Sequence, residues 1–152
     1  MKHWISALGA AASLALAASA ATAAPVTYNV NRTIGAGSLV GTITTDGTFG
    51  QLSTADFTGW NLNLSDGTNT FSLVSGSSAV FVLGADVTAD VNHIYFNFSG
   101  SDLGVFAFQQ TLFSGAHYYC DATASATFYC ATGESVVPTD VFSNPGFPRV
   151  AQ

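Results

Sequence analysis

Apolar and polar residues alternate along most of the chain beyond residue 26. From Thr27 to Ile34, Tyr28 and Val30 share one face with Arg32 and Ile34, and polar residues fill most of the other face. A period of two is typical of a half-buried β-strand. The same alternation occurs at residues 38–45, 60–67, 68–74, 93–98 and 104–113.

Turn signals separate these runs. Asp46-Gly47 and Asp66-Gly67 suit tight turns in which glycine adopts a positive φ at little cost. The continuous apolar run 79–84 is typical of a buried strand. A Ser-x-x-acid pattern at Ser53–Asp56 predicts one or two helical turns at most. We therefore predict an all-β fold, a single antiparallel β-sandwich or curled meander of about nine to ten strands.

The chain divides into three segments by composition. A positive residue, an apolar run and the small residues Ala21-Thr22-Ala23 predict a signal peptide over residues 1–23. The alternatives are cleavage after Ala24, or an uncleaved anchor helix, for which the run is short against about 30 Å of hydrocarbon. Residues 24–135 form the predicted all-β domain. Residues 136–152 contain three prolines and are predicted to be an irregular tail, because proline donates no ladder hydrogen bond.

The chain after the signal is acidic and almost free of cations. Nine acidic residues stand against Arg32 and Arg149, which gives this part a formal charge of −7. Nucleic-acid binders need cations to displace counterions from phosphate, and anionic membrane surfaces attract cations in the same way. We therefore expect no nucleic-acid partner, and no membrane insertion after signal removal. The missing lysines also disfavour Schiff-base and P-loop chemistry.

The only two cysteines, Cys120 and Cys130, each end an aromatic run. In an oxidising compartment an even number of cysteines predicts a disulfide. A hairpin would set Cys120 opposite Cys130, with Cα atoms about 4.5 Å apart, at the short end of the disulfide range. Such a bridge would stabilise the fold by about 2–3 kcal/mol in the chain-entropy model. The alternative is a redox-active pair, but no Cys-x-x-Cys spacing or adjacent cation supports it.

The stretch GTITTDGTFGQLSTADFTGWNLNLSDG, residues 41–67, resembles a segment of secreted bacterial proteins of the PEP-CTERM type. The matching positions are Gly41, Thr42, Ile43, Thr45, Asp46, Gly47, Gly50, Leu52, Asp56, Phe57 and Trp60. The resemblance implies an association with the cell envelope and extracellular polymer, and it implies no catalytic residues. Such proteins typically end in a Val-Pro-Glu-Pro motif, an apolar helix and an arginine cluster. This chain lacks these features, so we expect free secretion or periplasmic residence.

Carboxylates are the first candidates for chemistry. Asp46 and Asp56 could form a pair of the kind that hydrolyses glycosides. The alternative, which we favour, is that Asp46 makes a turn and Asp56 accepts hydrogen bonds from backbone amides.

Two further sets of oxygen ligands are candidates for Ca²⁺, which takes about six to eight oxygens. They are Asp66 with Asn69, and Asp86 with Asp90. Neither segment has the full acidic loop with its bidentate glutamate, so we favour plain turns and expect no cofactor.

Other reactive side chains are sparse. His93 and His117 are the only histidines after the signal, too few to indicate zinc without a third ligand. No Gly-x-Ser-x-Gly elbow occurs, and Ser75–Ser78 is interpreted as a loop. Aromatic residues on both strand faces, such as Tyr95 opposite Phe96, could stack on sugar rings. We favour the alternative, a core covered on both sides.

Together these features predict an exported, disulfide-containing, non-catalytic β protein at the envelope or in the extracellular matrix. Its expected partners are extracellular polysaccharide or envelope proteins, reached through strand edges or weak polymer contacts. One alternative is a carbohydrate-binding module with Trp60 or tyrosines as a stacking platform. The second is a small secreted hydrolase. An exposed aromatic row would favour the module, converging carboxylates the hydrolase, and a long bare edge strand the non-catalytic role.

Overall fold

The computed structural model describes residues 23–100, 103–112, 117–126, 130, 133–137, 141–143 and 149–151, the last three segments by their backbone. Nearly all of the predicted signal segment lies outside the described residues. The strands are β1 (Val26–Ile34), β2 (Gly37–Thr45), β3 (Gly50–Gln51), β4 (Phe57–Ser65), β5 (Thr70–Val74), β6 (Ala79–Leu83), β7 (Val87–Ala89), β8 (Ile94–Phe96), β9 (Val105–Gln109), β10 (Tyr118–Ala122), β11 (Gly133–Val137), β12 (Val141–Ser143) and β13 (Arg149–Ala151).

The strands pair antiparallel in three sheets. Sheet 1 has the order β1-β2-β4-β5, sheet 2 the order β12-β11-β10-β9-β6, and sheet 3 the order β13-β8-β7-β3. The predicted antiparallel all-β class is confirmed, and the described residues contain no helix beyond two 3₁₀ turns. Strands β3, β7, β8, β12 and β13 have only two or three residues. Of these, only β8 lies within a predicted alternating run, at residues 93–98, because a period of two does not define the other four short strands.

One apolar core is shared by all three sheets, and the alternation placed the correct side chains in it. The fully or nearly fully buried contributors are Tyr28, Val30, Ile34, Leu39, Ile43, Leu62, Leu64 and Leu73 from sheet 1, Val80, Phe106, Phe108 and Tyr119 from sheet 2, and Val87, Ala89, Ile94 and Phe96 from sheet 3. Burying one large apolar side chain stabilises a fold by about 1.5–3 kcal/mol. The burial of these side chains is therefore the main contribution that holds the three sheets together.

The predicted turn chemistry is present. Gly47 and Gly67 have φ values of 95° and 92°, a region that a side chain disfavours. Thr54–Asp56 forms a single 3₁₀ turn that Ser53 and Asp56 close as a reciprocal capping box. The glycines and aspartates of this stretch therefore serve the turns between strands.

In sheet 2, most described side chains of β6, β9 and β10 are also apolar on the second face, the one directed away from the main core. Val105 of β9 pairs with Ala122 of β10 on this face. Ala126 and Cys130, from the segment after β10, pack there as a second, smaller cluster. The Cys120–Cys130 disulfide, with Cα atoms 6.5 Å apart, fastens that segment across the sheet. We call the described residues of this segment, 123–126 and 130, the disulfide cover.

The predicted disulfide is confirmed, and β10 and β11 form an antiparallel hairpin, but the predicted placement of Cys120 opposite Cys130 is wrong. Cys120 lies opposite Ser135 of β11, so it has no cross-strand pairing with Cys130. Thr123 exchanges two hydrogen bonds with Gly104, one through its backbone N–H and one through its hydroxyl oxygen. These bonds continue the β9–β10 pairing by one residue, and a 3₁₀ turn at Ala124–Ala126 follows. β11 begins only at Gly133, so Cys130 lies before that strand.

The C-terminal segment is more regular than predicted. Residues 136–152 were expected to be irregular, yet β11 extends to Val137, and β12 and β13 lie wholly within this segment. β12 pairs with β11, and β13 pairs with β8. The three strands occupy the stretches free of proline, whereas Pro138, Pro145 and Pro148 lie outside the described residues.

Candidate interaction surface

Sheet 1 presents an uncharged polar face to solvent. Its side chains alternate, so that each strand contributes every second residue to this side. We define the outer face of sheet 1 by the following residues: Thr27, Asn29, Asn31 and Thr33 of β1, Ser38, Val40, Thr42 and Thr44 of β2, Gly59, Asn61, Asn63 and Ser65 of β4, and Thr70, Ser72 and Val74 of β5.

The strand register arranges this face in rows. Thr42 of β2 lies between Asn29 of β1 and Asn61 of β4. In the next row, Val40 lies between Asn31 and Asn63. Neighbouring strands lie about 4.8 Å apart, and residues i and i+2 of one strand lie roughly 6.7 Å apart. Four asparagines therefore surround the two central side chains. We call them the asparagine frame: Asn29, Asn31, Asn61 and Asn63.

Most of the frame has unused hydrogen-bonding capacity. No described residue forms a hydrogen bond with the side chains of Asn29, Asn31 or Asn61. Asn63 accepts one bond from the Ser72 hydroxyl through Oδ1, which leaves its NH₂ group. An amide has two donors and one accepting oxygen. The frame therefore presents both donors and acceptors to solvent.

The hydroxyl groups of Thr27, Thr44 and Ser65 on this face form hydrogen bonds with each other or with the backbone. Thr27 Oγ1 and Thr44 Oγ1 share a cross-strand hydrogen bond of 2.8 Å. Such pairs fix side-chain rotamers and stabilise the sheet. Val40 and Val74 are 39% and 38% exposed, so the face also contains two apolar points.

Acidic turns lie at both ends of the outer face. Asp46 follows β2 at one end, and Asp66 follows β4 at the other. The asparagine frame, in the middle rows, contains no charge of its own.

The carboxylates of the first candidate pair, Asp46 and Asp56, each bind groups within their own turn. The backbone N–H of Asp46 donates to the carbonyl of Asp56 at 2.9 Å, so the two residues are neighbours. Their carboxylates, however, bind local groups. Asp46 Oδ1 accepts from Thr48 N–H, and Asp56 Oδ2 accepts from both the N–H and the hydroxyl of Ser53. The predicted structural role is the one that the geometry shows.

The Asp66–Asn69 candidate is a closed turn. Asp66 Oδ1 accepts from the backbone N–H groups of Thr68 and Asn69, at 2.7 and 2.6 Å, and Oδ2 accepts from the Asn69 side chain. These bonds, above all those from Asn69, lower the pKa of Asp66 from 3.8 to about 2. The oxygens that a cation would need are engaged by amides.

The structure does not bring Asp86 and Asp90 together as a calcium site. Asp90 Oδ1 accepts from the N–H groups of Asn92 and His93, and its Oδ2 from the Tyr95 hydroxyl. The Asn92 bond contributes most to lowering its pKa. Asp86 is buried elsewhere, and its carboxylate lies against the backbone of Gly100. Within the described residues, no three acidic, histidine or cysteine side chains form a group suited to a metal.

Asp121 is a buried acid that the sequence reasoning missed. It lies on the core side of β10 and is fully buried, and the Tyr119 hydroxyl donates to its Oδ2 at 2.8 Å. The sequence signal for its burial was its position two residues after Tyr119, which places both side chains on the same strand face. The carboxylate of Asp121 therefore contacts a core side chain and does not face solvent.

The histidines and the tryptophan have structural neighbours. His93 contacts Asp90 and Tyr95, while His117 stacks on Phe71 with ring centroids 3.9 Å apart. The Trp60 ring points inward against Phe108, and its N–H donates to Ser78 at 2.8 Å. Among the described aromatic residues only Phe49 is exposed, at 53%. The structure therefore shows no row of aromatic platforms in the part of the chain that it describes.

One sheet edge is blocked by a side chain. β6 is the last strand of sheet 2, and its residue Val82 directs its backbone groups outward. The Thr54 hydroxyl accepts from Val82 N–H at 2.9 Å and donates to Val82 C=O at 3.4 Å. A strand from another molecule cannot use these groups. The broad outer face of sheet 1 is therefore a better candidate for contact than this edge.

None of the described helical segments has the length and apolarity required to cross a bilayer.

Protein-family models, curated proteins and solved structures all lack a significant match to this chain. The outer face of sheet 1 therefore has to be interpreted from its own chemistry.

Proposed function

We propose that this protein is an exported, non-catalytic protein that associates with the cell envelope or extracellular matrix through the outer face of sheet 1. The observation that carries the proposal is that four paired strands expose only uncharged side chains on this face. A flat, rigid face of hydroxyl and amide groups is suited to many weak, simultaneous contacts with a polymer. It is unsuited to chemistry, because hydroxyls and amides without a base or acid do not move protons.

Export is supported by three features. Residues 1–23 have the composition of a signal peptide. The Cys120–Cys130 disulfide is the kind of bond that persists in oxidising compartments outside the cytoplasm. The resemblance of residues 41–67 to secreted PEP-CTERM-type proteins adds an expected association with the envelope and with extracellular polymer.

A non-catalytic role is supported by the state of the acids. The four aspartates in turns each accept hydrogen bonds from neighbouring backbone or hydroxyl groups; they are Asp46, Asp56, Asp66 and Asp90. A general acid or base has to be free to exchange a proton with a substrate. The geometry favours the matrix role over the secreted hydrolase for that reason.

Co-sedimentation of the oxidised, mature protein with an insoluble extracellular-matrix fraction tests this proposal. Thr42→Asp places a charge at the centre of the outer face, and Thr111→Asp makes the same change on an exposed residue outside sheet 1. We expect the wild type and Thr111→Asp to sediment with the matrix, and Thr42→Asp to remain in the supernatant. Equal sedimentation of both variants, or none by the wild type, would overturn the proposal.

A further inference from the structure

The asparagine frame has a more specific chemistry than the rest of the outer face. Its two rows each place an amide on either side of a central residue of β2, Val40 in one row and Thr42 in the other. The amides of a row are separated by two strand spacings, roughly 10 Å. Val40 is 39% exposed, so an apolar surface lies between two groups that donate and accept hydrogen bonds.

This arrangement matches a sugar ring. A pyranose has apolar C–H faces and hydroxyl groups around its edge, each of which donates and accepts hydrogen bonds. A ring lying over Val40 would place its edge hydroxyls toward Asn31 and Asn63. The row through Thr42 would offer a second pair of amides, Asn29 and Asn61, to the next ring, with the threonine side chain between them. Because both central residues belong to β2, the two positions follow one another along that strand.

We propose that the asparagine frame binds an uncharged polysaccharide that runs along β2. This inference rests on the proposed function and names its polymer. Charge selects the class of polymer, because the frame has no cation to pair with carboxylate or sulfate groups. The acidic turns at Asp46 and Asp66, and the formal charge of −7 after the signal, repel polyanions. Contacts between neutral groups also make binding insensitive to salt.

Native affinity electrophoresis through gels containing one soluble polysaccharide tests the frame. The probes are laminarin, dextran and galactomannan as neutral polymers, alginate as the anionic one and a soluble chitosan as the cationic one. The variants are Asn31→Ala/Asn63→Ala and Asn29→Ala/Asn61→Ala. Asn92→Ala, an exposed asparagine in the β7–β8 turn, is the matched control. Circular dichroism checks that each variant is folded.

We expect retardation of the wild type and Asn92→Ala by at least one neutral polymer, with no retardation by alginate. Each double variant should bind about tenfold more weakly, as the loss of two neutral hydrogen bonds implies. Binding should be the same at low and high salt. Three results would overturn the inference: no neutral polymer retards the wild type, the double variants bind like Asn92→Ala, or binding is to chitosan alone and disappears in salt.

The two proposals fail separately. Suppose that Thr42→Asp no longer sediments with the matrix and that no neutral polymer retards the wild type. The outer face then still mediates association with the matrix, and only the proposed polysaccharide ligand is rejected. Suppose instead that Thr42→Asp and Thr111→Asp sediment equally, while the asparagine variants no longer bind a neutral polymer. The asparagine frame is then a polysaccharide site, but its role in matrix association is rejected.

Discussion

Sheets 1 and 2 bury their residues in different ways. Sheet 1 packs one face on the core and leaves the other in water, and its sequence alternates apart from Val40 and Val74 on the outer face. The described strands of sheet 2 bury both faces, with Phe106 directed to the main core and Val105 directed to the disulfide cover. Antiparallel sheets more commonly have one solvated face. The comparison teaches that alternation reports how many faces of a strand are covered, and that the second cover of a sheet can be a loop of a few residues.

Truncation of a core phenylalanine should have the largest effect. Phe106 is fully buried and has ring centroids 5.1 Å from those of Phe57 and Phe108. We expect Phe106→Ala to lower the free energy of unfolding by about 3–5 kcal/mol in urea denaturation. Phe81→Ala removes a half-buried ring from the opposite face of sheet 2 and should cost less. Equal losses of unfolding free energy would mean that the two faces of sheet 2 contribute equally to the stability of the fold.

Removal of the disulfide should have the next largest effect. The bridge closes a loop with a sequence separation of 10, and Cys120→Ser/Cys130→Ser should destabilise the protein by about 2–3 kcal/mol. Hydrogen exchange should accelerate at β9 and β10, which the cover protects, more than in β2 and β4. A uniform acceleration across sheets 1 and 2 would contradict the local role of the cover. Reductant should destabilise the wild type but leave the double variant unchanged.

A pair of glycines tests the close pairing within sheet 1. Gly41 has a φ of 146°, and a Cβ there would lie 2.0 Å from the carbonyl oxygen of Asn61. We expect Gly41→Ala to cost about 1–3 kcal/mol from backbone strain, and more if the ladder has to open. Gly59→Ala is the control, because its Cβ would meet nothing closer than 3.8 Å. Thermal denaturation distinguishes them, and equal stability of the two variants would refute the close approach of β2 to β4.

The smallest effect concerns pH and the turn at Asp66. Its folded-state pKa of about 2 lies below the usual 3.8, so the ionised form stabilises the fold. That stabilisation is fully present above about pH 4 and is lost as the pH falls through about 2. A carboxyl-carbon NMR titration should give a midpoint near 2 for Asp66. The difference in free energy of unfolding between Asp66→Asn and the wild type should shrink as acid protonates the wild-type carboxylate. A titration midpoint near 4 for Asp66 would contradict the hydrogen bonds to its carboxylate.

Much of the fold could be predicted from local sequence. The alternation at Tyr28 and Val30, or at Leu62 and Leu64, identifies the buried side of each strand because side chains on a pleated strand repeat every two residues. The turn roles of the aspartates could be predicted for a similar reason, since each binds amides within three residues of itself. These features depend on neighbours along the chain.

What depends on distant neighbours could not be predicted. The asparagine frame exists only because the register sets Asn29 and Asn61 on either side of Thr42, and no local pattern specifies that pairing. The cross-strand pairing predicted for the cysteines was wrong because the β10–β11 register sets Cys120 opposite Ser135. Trp60 was a candidate platform because its type suits sugars, but only packing shows that its ring points inward.

Because of the disulfide cover, the stability of the molecule depends on the redox state of its compartment. Thiols stay reduced in the cytosol, so a copy retained there would lack the bond that fastens the cover over Val105 and Ala122. Bare apolar surface and raised opening rates mark a chain for chaperones and proteases. In a reducing compartment the protein would thus be prone to removal, whereas the oxidised molecule keeps its cover in place.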